Sequence, residues 1–172
     1  MITIGGKAGQ GVLSSGTFVK QIMSTLGFYT FNWTEYPSLI KGGHNSVMIR
    51  VSTRSIMSPV KRTHVVVALD KVSIEMHWDE IESGGVLIYD SSNIKDNLSA
   101  TPTKTQLFYA IGVPLGEISR SIDKSSMYIN TAALGALHSV LDIPTTVFEN
   151  ILESKYKKKS VKIVDNNQYA VQ

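Results

Sequence analysis

Two unbroken apolar runs dominate the chain: Val65-Val66-Val67-Ala68-Leu69, which ends on Asp70, and Val86-Leu87-Ile88-Tyr89, which ends on Asp90. A strand with one wet face alternates apolar and polar residues, whereas an unbroken run suits a strand buried on both faces. Such strands need a layer on each side, and helices are the usual cover. The remaining segments fit this plan. Ile2-Thr3-Ile4 reads as a short strand, Tyr29 to Thr34 as an aromatic-rich one, and Ser46 to Ser52 as a third. In the third, Val47, Ile49 and Val51 face one way and Met48 and Arg50 the other. Gly84-Gly85 leads into the second apolar run, and Leu107 to Ile111 is a weaker strand closed by Gly112 and Pro114.

Between them, Val12, Gly16, Val19, Met23 and Leu26 recur at helical spacing, with Gly27 as a stop. Asp70 is placed to cap a short helix through Ile74 and His77. The last third is helical: Ile129, Ala133, Ala136, Leu137, Val140 and Leu141 form one face, and Pro144 starts a new helix carrying Val147, Phe148, Ile151 and Leu152. The expectation is a three-layer α/β/α sandwich with a largely parallel, Rossmann-like central sheet, whose ligand crevice lies beyond the strand carboxyl ends.

Composition narrows the function. With 172 residues and 42% hydrophobic content, one globular domain is expected. Cys is absent, which excludes disulfides, thiolate metal sites, a cysteine nucleophile and any iron–sulfur cluster ligated by this chain. No run of about 18 apolar residues suggests a membrane span. The first residues do not resemble a secretory signal, so the cytoplasm is the default expectation. The net charge of +3 owes much to Lys155-Tyr156-Lys157-Lys158-Lys159, read as a solvated helix end rather than a nucleic-acid patch.

The loop Gly5-Gly6-Lys7-Ala8-Gly9-Gln10-Gly11 joins the first strand to the first helix. Its Gly6-x-x-Gly9-x-Gly11 spacing reverses that of the dinucleotide fingerprint G-x-G-x-x-G. Gly6 and Gly11 have the separation of an ATP-binding loop, but Val12 and Leu13 stand where Lys and Ser/Thr would hold phosphates and magnesium. What survives is backbone chemistry: a glycine turn aims N–H groups at one spot, with the helix dipole behind them. A phosphate on Gly9, Gln10 and Gly11, with Lys7 or Lys41 nearby, is one reading. A tight turn with no ligand is the other.

A second loop reads Tyr36-Pro37-Ser38-Leu39-Ile40-Lys41-Gly42-Gly43-His44-Asn45. The pairing of GGKAGQGV with YPSLIKGGHN resembles the gamma subunit or domain of the 2-oxoacid (pyruvate/2-oxoglutarate):ferredoxin (acceptor) oxidoreductases. The resemblance extends through VVVALDKVSIEMH, GGVLIYDSS and YINTAALGALHSVLDIP, and so covers most of the chain. The form of the second loop is most similar to chains in which the gamma domain is fused ahead of the thiamine-binding alpha region. This implies a single gamma-type domain over residues 1–172, with the end from about 157 read as an extension or a linker to a fused alpha region.

The resemblance implies that alpha and beta subunits, with a delta subunit in some assemblies, or a fused alpha region, hold thiamine diphosphate, Mg²⁺ and the iron–sulfur clusters. This chain lacks both Cys and the G-D-G…N pattern of a thiamine–metal site, so on its own it is expected to be inactive and to bind none of these. The family's gamma domain covers the active-site side and is linked to coenzyme A. The candidate binding residues are accordingly Gly6, Lys7, Gly9, Gln10, Gly11, Tyr36, Ser38, Lys41, Gly42, Gly43 and His44. No catalytic residue and no metal ligand is assigned. Ferredoxin would be reached through the complex, no nucleic acid or membrane is expected, and the isolated domain could self-associate through the docking face.

His64, His77 and His138 are scattered, and none forms a metal pattern at helical spacing. Asn130 matches an Asn in the family's helix pattern, and its favoured reading is a buried amide satisfied by neighbouring backbone. Two other functional classes stay open: an independent dinucleotide-dependent dehydrogenase, and an assembly subunit whose glycine loop is only a turn.

Overall fold

The computed structural model describes residues 1–36, 43–95, 98, 107–123, 127–156 and 161–171. Its strands are β1 (Ile2–Lys7), β2 (Tyr29–Glu35), β3 (His44–Ser52), β4 (Thr63–Ala68), β5 (Ile81–Asp90) and β6 (Tyr109–Val113). Its α-helices are α1 (Val12–Thr25), α2 (Lys71–His77), α3 (Leu115–Ile122), α4 (Ile129–Val140), α5 (Thr145–Tyr156) and α6 (Val161–Tyr169). The six strands form one sheet in the order β2-β3-β1-β4-β5-β6. The pairs β1–β4, β4–β5 and β5–β6 are parallel, while β3 runs antiparallel to both β1 and β2. The sheet is therefore mixed but mostly parallel, as the sequence predicts.

The two apolar runs occupy β4 and β5, and both are covered twice. Val65, Val67, Leu69 and Ile88 join the larger core with α1, α4 and α5, around Phe18, Ile22, Leu137 and Phe148. Val66, Ala68, Leu87 and Tyr89 enter a smaller core with Ile74 of α2 and Ile94. The two layers are unequal: among the described residues α2 and the 3-10 turn at Trp78–Glu80 are the helical cover of the second face.

Several boundaries differ from the sequence reading. The Gly84-Gly85 pair lies inside β5, not ahead of it. The strand starts at Ile81, and its register against β4 shifts between Thr63 and Val65, with Gly84 at φ 80°. β6 is displaced two residues toward the C-terminus and includes Gly112. A Cβ there would come within 2.9 Å of the Tyr89 ring, so the glycine lets Tyr89 close over the strand.

Helix α3 has no clear signal in the sequence. Its first turn is held by buried Asp90, whose Oδ1 accepts from the Gly116 N–H at 3.2 Å. Helix α6 occupies the end of the chain that the sequence suggests is an extension or linker. It lies against α4, where Thr131 donates to Asn167 at 2.7 Å and Asn166 donates to the Tyr128 hydroxyl at 3.1 Å. From the basic run, Lys155 sets its ammonium 5.1 Å from the centre of the Phe18 ring and donates to the Ser14 carbonyl. Residues 157–159 lie outside the described residues. No described helix is long and apolar enough to cross a membrane.

Candidate functional site

β1 and β4 are parallel neighbours. The helix after β1 packs into the larger core and the helix after β4 into the smaller one. Chain exits that diverge to opposite faces open a crevice at the strand carboxyl ends, the usual ligand position in such sheets. The glycine loop forms one wall of it and the Asp70 turn the other.

Within the glycine loop, the Gln10 N–H donates to the Lys7 carbonyl at 3.1 Å, and the Lys7 N–H donates to Gln10 Oε1 at 2.6 Å. Gly9, at φ 92°, supplies the positive φ that the third position of a type II turn demands. Gly11, at φ 77°, is the residue before α1 and accepts from the Ser15 N–H at 2.9 Å. The Gln10 N–H thus turns inward. Among the described residues the N–H groups of Gly9 and Gly11 have no backbone acceptor. A Cβ on Gly9 would meet nothing within 4 Å, so that side of the turn is open. Asn130, from the first turn of α4, stands over Gly11.

The described end of the second loop lies beside the first. In the β1–β3 ladder, Lys7 pairs with His44 and Gly6 with Asn45, and the Ala8 N–H donates to the Gly43 carbonyl at 3.3 Å. Both loops therefore reach the carboxyl end of β1. Tyr36 is exposed just beyond β2. Pro37 to Gly42, including the candidates Ser38, Lys41 and Gly42, lies outside the described residues.

His44 is the first residue of β3 and points to the α2 face, into space that Gly5 leaves open. A Cβ on Gly5 would come within 2.8 Å of His44 Cε1 and 2.9 Å of Ser73 Oγ. From there a polar chain runs across the crevice. Asp70 caps α2 by accepting the Ser73 N–H at 2.8 Å, and its Oδ1 also accepts the Ser73 hydroxyl at 2.7 Å. Ser73 Oγ lies 3.3 Å from His44 Nδ1, and His44 Nε2 lies 3.1 Å from His77 Nε2. His77 Nδ1 lies 2.7 Å from Glu80 Oε2. Burial and then the neighbouring His77 push the His44 pKa below its ordinary value of 6.5, against an opposing pull from Asp70 and Glu35.

In the sequence His77 stands apart from the other histidines; the fold makes it the partner of His44. The one local signal was the three-residue spacing of His77 and Glu80, which puts them on one helical face. Among the described residues no group of three or more His, Cys, Asp or Glu side chains is arranged to hold a metal ion.

A doubly covered, mostly parallel sheet with a glycine turn at its switch point defines an α/β domain with a crevice beyond its strand carboxyl ends, the usual ligand position in such sheets. The sequence profile of the family "Pyruvate ferredoxin/flavodoxin oxidoreductase" matches residues 1–172, and the chain belongs to that family.

The ketoisovalerate oxidoreductase subunit VorA of Methanothermobacter thermautotrophicus is 29% identical over 96% of this chain, which spans 34% of VorA's length. The 2-oxoglutarate synthase subunit KorC of Archaeoglobus fulgidus is 23% identical over 91% of the chain and 79% of its own length. The chain thus spans about a third of some relatives and most of others. Among solved structures, the pyruvate oxidoreductase subunit PORC of Thermotoga maritima has the same fold, with a TM-score of 0.78 at 22% identity, over 99% of this chain and 92% of that one. The 2-oxoglutarate:ferredoxin oxidoreductase of Magnetococcus marinus, solved with 2-oxoglutarate, coenzyme A and succinyl-CoA, matches with a TM-score of 0.84 at 24% identity, over 99% of this chain and 29% of that one.

Proposed function

We propose that this chain is the gamma component of a thiamine-diphosphate- and iron–sulfur-dependent 2-oxoacid:ferredoxin oxidoreductase, in which it helps bind coenzyme A and covers the active-site side. The assembly converts a 2-oxoacid and coenzyme A to acyl-coenzyme A and CO₂ and passes the electrons to ferredoxin. The observation that carries the reading is the switch-point crevice between β1 and β4, closed by a glycine turn that feeds the N-terminus of α1.

Coenzyme A carries a pyrophosphate and a ribose 3′-phosphate. The N–H groups of Gly9 and Gly11 and the first turn of α1 offer donors and a positive pole, and Lys7 adds charge at the rim. Tyr36, Ser38 and the 41–44 segment complete the binding residues. The donor set does not fit a cluster, because the chain has no Cys. Thiamine diphosphate, Mg²⁺ and the clusters therefore belong to alpha and beta chains, with or without delta, or to a fused alpha region. This chain supplies positioning and no covalent step.

The test is Gly9→Asn in the assembled enzyme. Asn tolerates positive φ better than other side chains, and the site is open, so the fold survives while the phosphate's approach is obstructed. The KM for coenzyme A should rise several-fold, with coenzyme-A-independent decarboxylation unchanged. An unchanged KM would reduce the loop to a structural turn.

A further inference from the structure

We propose that β2 is the pairing strand of a two-fold homodimer, in which its outer edge joins, antiparallel, the β2 of a second copy of this chain. β2 is an edge of the sheet, with β3 on one side and, among the described residues, no strand on the other. Among those residues no backbone group of β2 bonds anything beyond β3. Such an open row of N–H and C=O groups invites another strand, and monomeric proteins blunt it with Lys, Pro, bulges or a very short strand. β2 has none of these devices. Its seven residues, Tyr29-Thr30-Phe31-Asn32-Trp33-Thr34-Glu35, include no Lys, Arg or Pro and pair with β3 in unbroken register. The opposite edge, β6, has five residues and holds Gly112, which weakens a strand.

The order of the side chains identifies the occupant. Asn32 is the middle residue of β2, and from it the strand reads nearly alike in both directions, Thr-Phe-Asn-Trp-Thr. A two-fold axis at Asn32 therefore overlaps the two strands over their whole length and sets like against like. Phe31 meets Trp33 of the second copy, Thr30 meets Thr34, and Asn32 meets its own copy. Aromatic pairs and Thr pairs directly opposite one another are among those that stabilise an antiparallel ladder. At the ends Tyr29 meets Glu35, so the two acidic side chains stand at opposite ends of the ladder. A two-fold axis fits either kind of antiparallel residue pair, hydrogen-bonded or not. The register is thus open whichever backbone groups of β2 face outward.

The faces agree as well. In the β2–β3 ladder Phe31 lies opposite Arg50 and Trp33 opposite Met48, which places both rings on the His44 side of the sheet. Within one chain they are tilted neighbours with centres 6.0 Å apart. Both are only partly buried, and Asn32 is exposed. The axis brings two such pairs together as a cluster of four rings, and so covers apolar surface that a monomer leaves to water. β2 runs parallel to β1, since both are antiparallel to β3. In the dimer, six strands from each copy make one sheet of twelve, and the two crevices open at its opposite ends. The pairing uses no residue of the glycine loop and is independent of what the crevice binds.

The absence of Cys makes the register testable by cross-linking. Asn32→Cys puts a single thiol directly opposite its copy, with Cα atoms about 4.5–5.5 Å apart, within reach of a disulfide. Under mild oxidation this variant should become a covalent dimer. Thr30→Cys alone should not, because its copy lies four residues along the ladder, roughly 14 Å away. A mixture of Thr30→Cys and Thr34→Cys should cross-link, since those positions face each other. In analytical ultracentrifugation over a concentration series, the unaltered 172-residue chain should show a monomer–dimer equilibrium. Asn32→Lys sets two like charges face to face, so it should raise the dissociation constant several-fold with the circular dichroism unchanged. A chain that stays monomeric across the series would overturn the proposal, as would Thr30→Cys cross-linking to itself as readily as Asn32→Cys. Protection of the β2 amides from hydrogen exchange only when other chains of the assembly are added would give the edge to those chains and overturn it too.

Discussion

Asn130 Nδ2 lies 2.6 Å from the position a Cβ would take on Gly11, so the amide of α4 occupies the space that this glycine leaves at the head of α1. Any side chain at Gly11 therefore meets both an unfavourable positive φ and a steric conflict. Gly11→Ala should cost about 2–6 kcal/mol in denaturant unfolding, combining backbone strain of about 1–3 kcal/mol with overpacking of similar size. Gly9→Ala meets open space and should cost only the strain. Adding Asn130→Ala should recover part of the Gly11→Ala loss and none of the Gly9→Ala loss. Equal costs at the two glycines would refute the account.

Asp90 should be a principal stabiliser of the carboxyl edge of the sheet. It is fully buried and accepts from the N–H groups of Ser92 and Gly116 and from the Asn93 amide at 3.0, 3.2 and 2.6 Å. Asp90→Ala strands these donors and should destabilise by about 2–4 kcal/mol, in line with hydrogen bonds to charged groups. Hydrogen exchange should rise first in α3, whose opening turn Asp90 holds.

The pH dependence of stability follows from His44. Its pKa is lowered in the folded chain, so between the folded and unfolded values the unfolded chain binds more protons, and stability rises with pH. The contribution is complete above about 6.5 and is lost as the pH falls through the lowered folded value. Unfolding midpoints measured on the acid side of neutrality should decline with falling pH, and His44→Gln should flatten the decline. An unchanged slope in that variant would assign the effect to other groups.

Asn167 should tie α6 to the body of the domain. It is buried and accepts the Thr131 hydroxyl at 2.7 Å. Asn167→Ala should cost about 1–2 kcal/mol and make residues 161–171 the first segment released by limited proteolysis. Unaltered proteolysis would show that the bond to Thr131 does not anchor the helix.

The central strands were legible because burial on both faces leaves an unbroken apolar signature, and α1 because its buried residues keep one helical stripe. The Asp70 cap was legible because capping is a local rule. α3 was not, since Leu115-Gly116-Glu117-Ile118-Ser119-Arg120-Ser121-Ile122 has weak helical propensity and is held by Asp90, which precedes it by 26 positions to Gly116. Gly84 and Gly112 suggested turns because glycine usually breaks strands. Here one accommodates an irregular register and the other makes room for Tyr89. In the site, the glycine turn and His44 could be named from the chain. His77 could not, because it stands 33 positions from His44 and only the side-by-side placement of β3, β1 and β4 brings the rings together.

The position of β1 also bears on how the chain reaches its native state. The first strand in the sequence is an interior one: its neighbours are β3 on one side and β4 on the other, with Ile2 opposite Ile49 and Val65. During synthesis its ladder on the β4 side must wait for more than sixty further residues, and contacts of such separation slow folding because the loop entropy must be met before the strand pairs. The nascent β1, Ile-Thr-Ile followed by glycines, is short and weakly apolar. It is thus a poor template for pairing with other chains during that interval. The glycines that open the crevice in the finished domain also make β1 a poor template for such pairing.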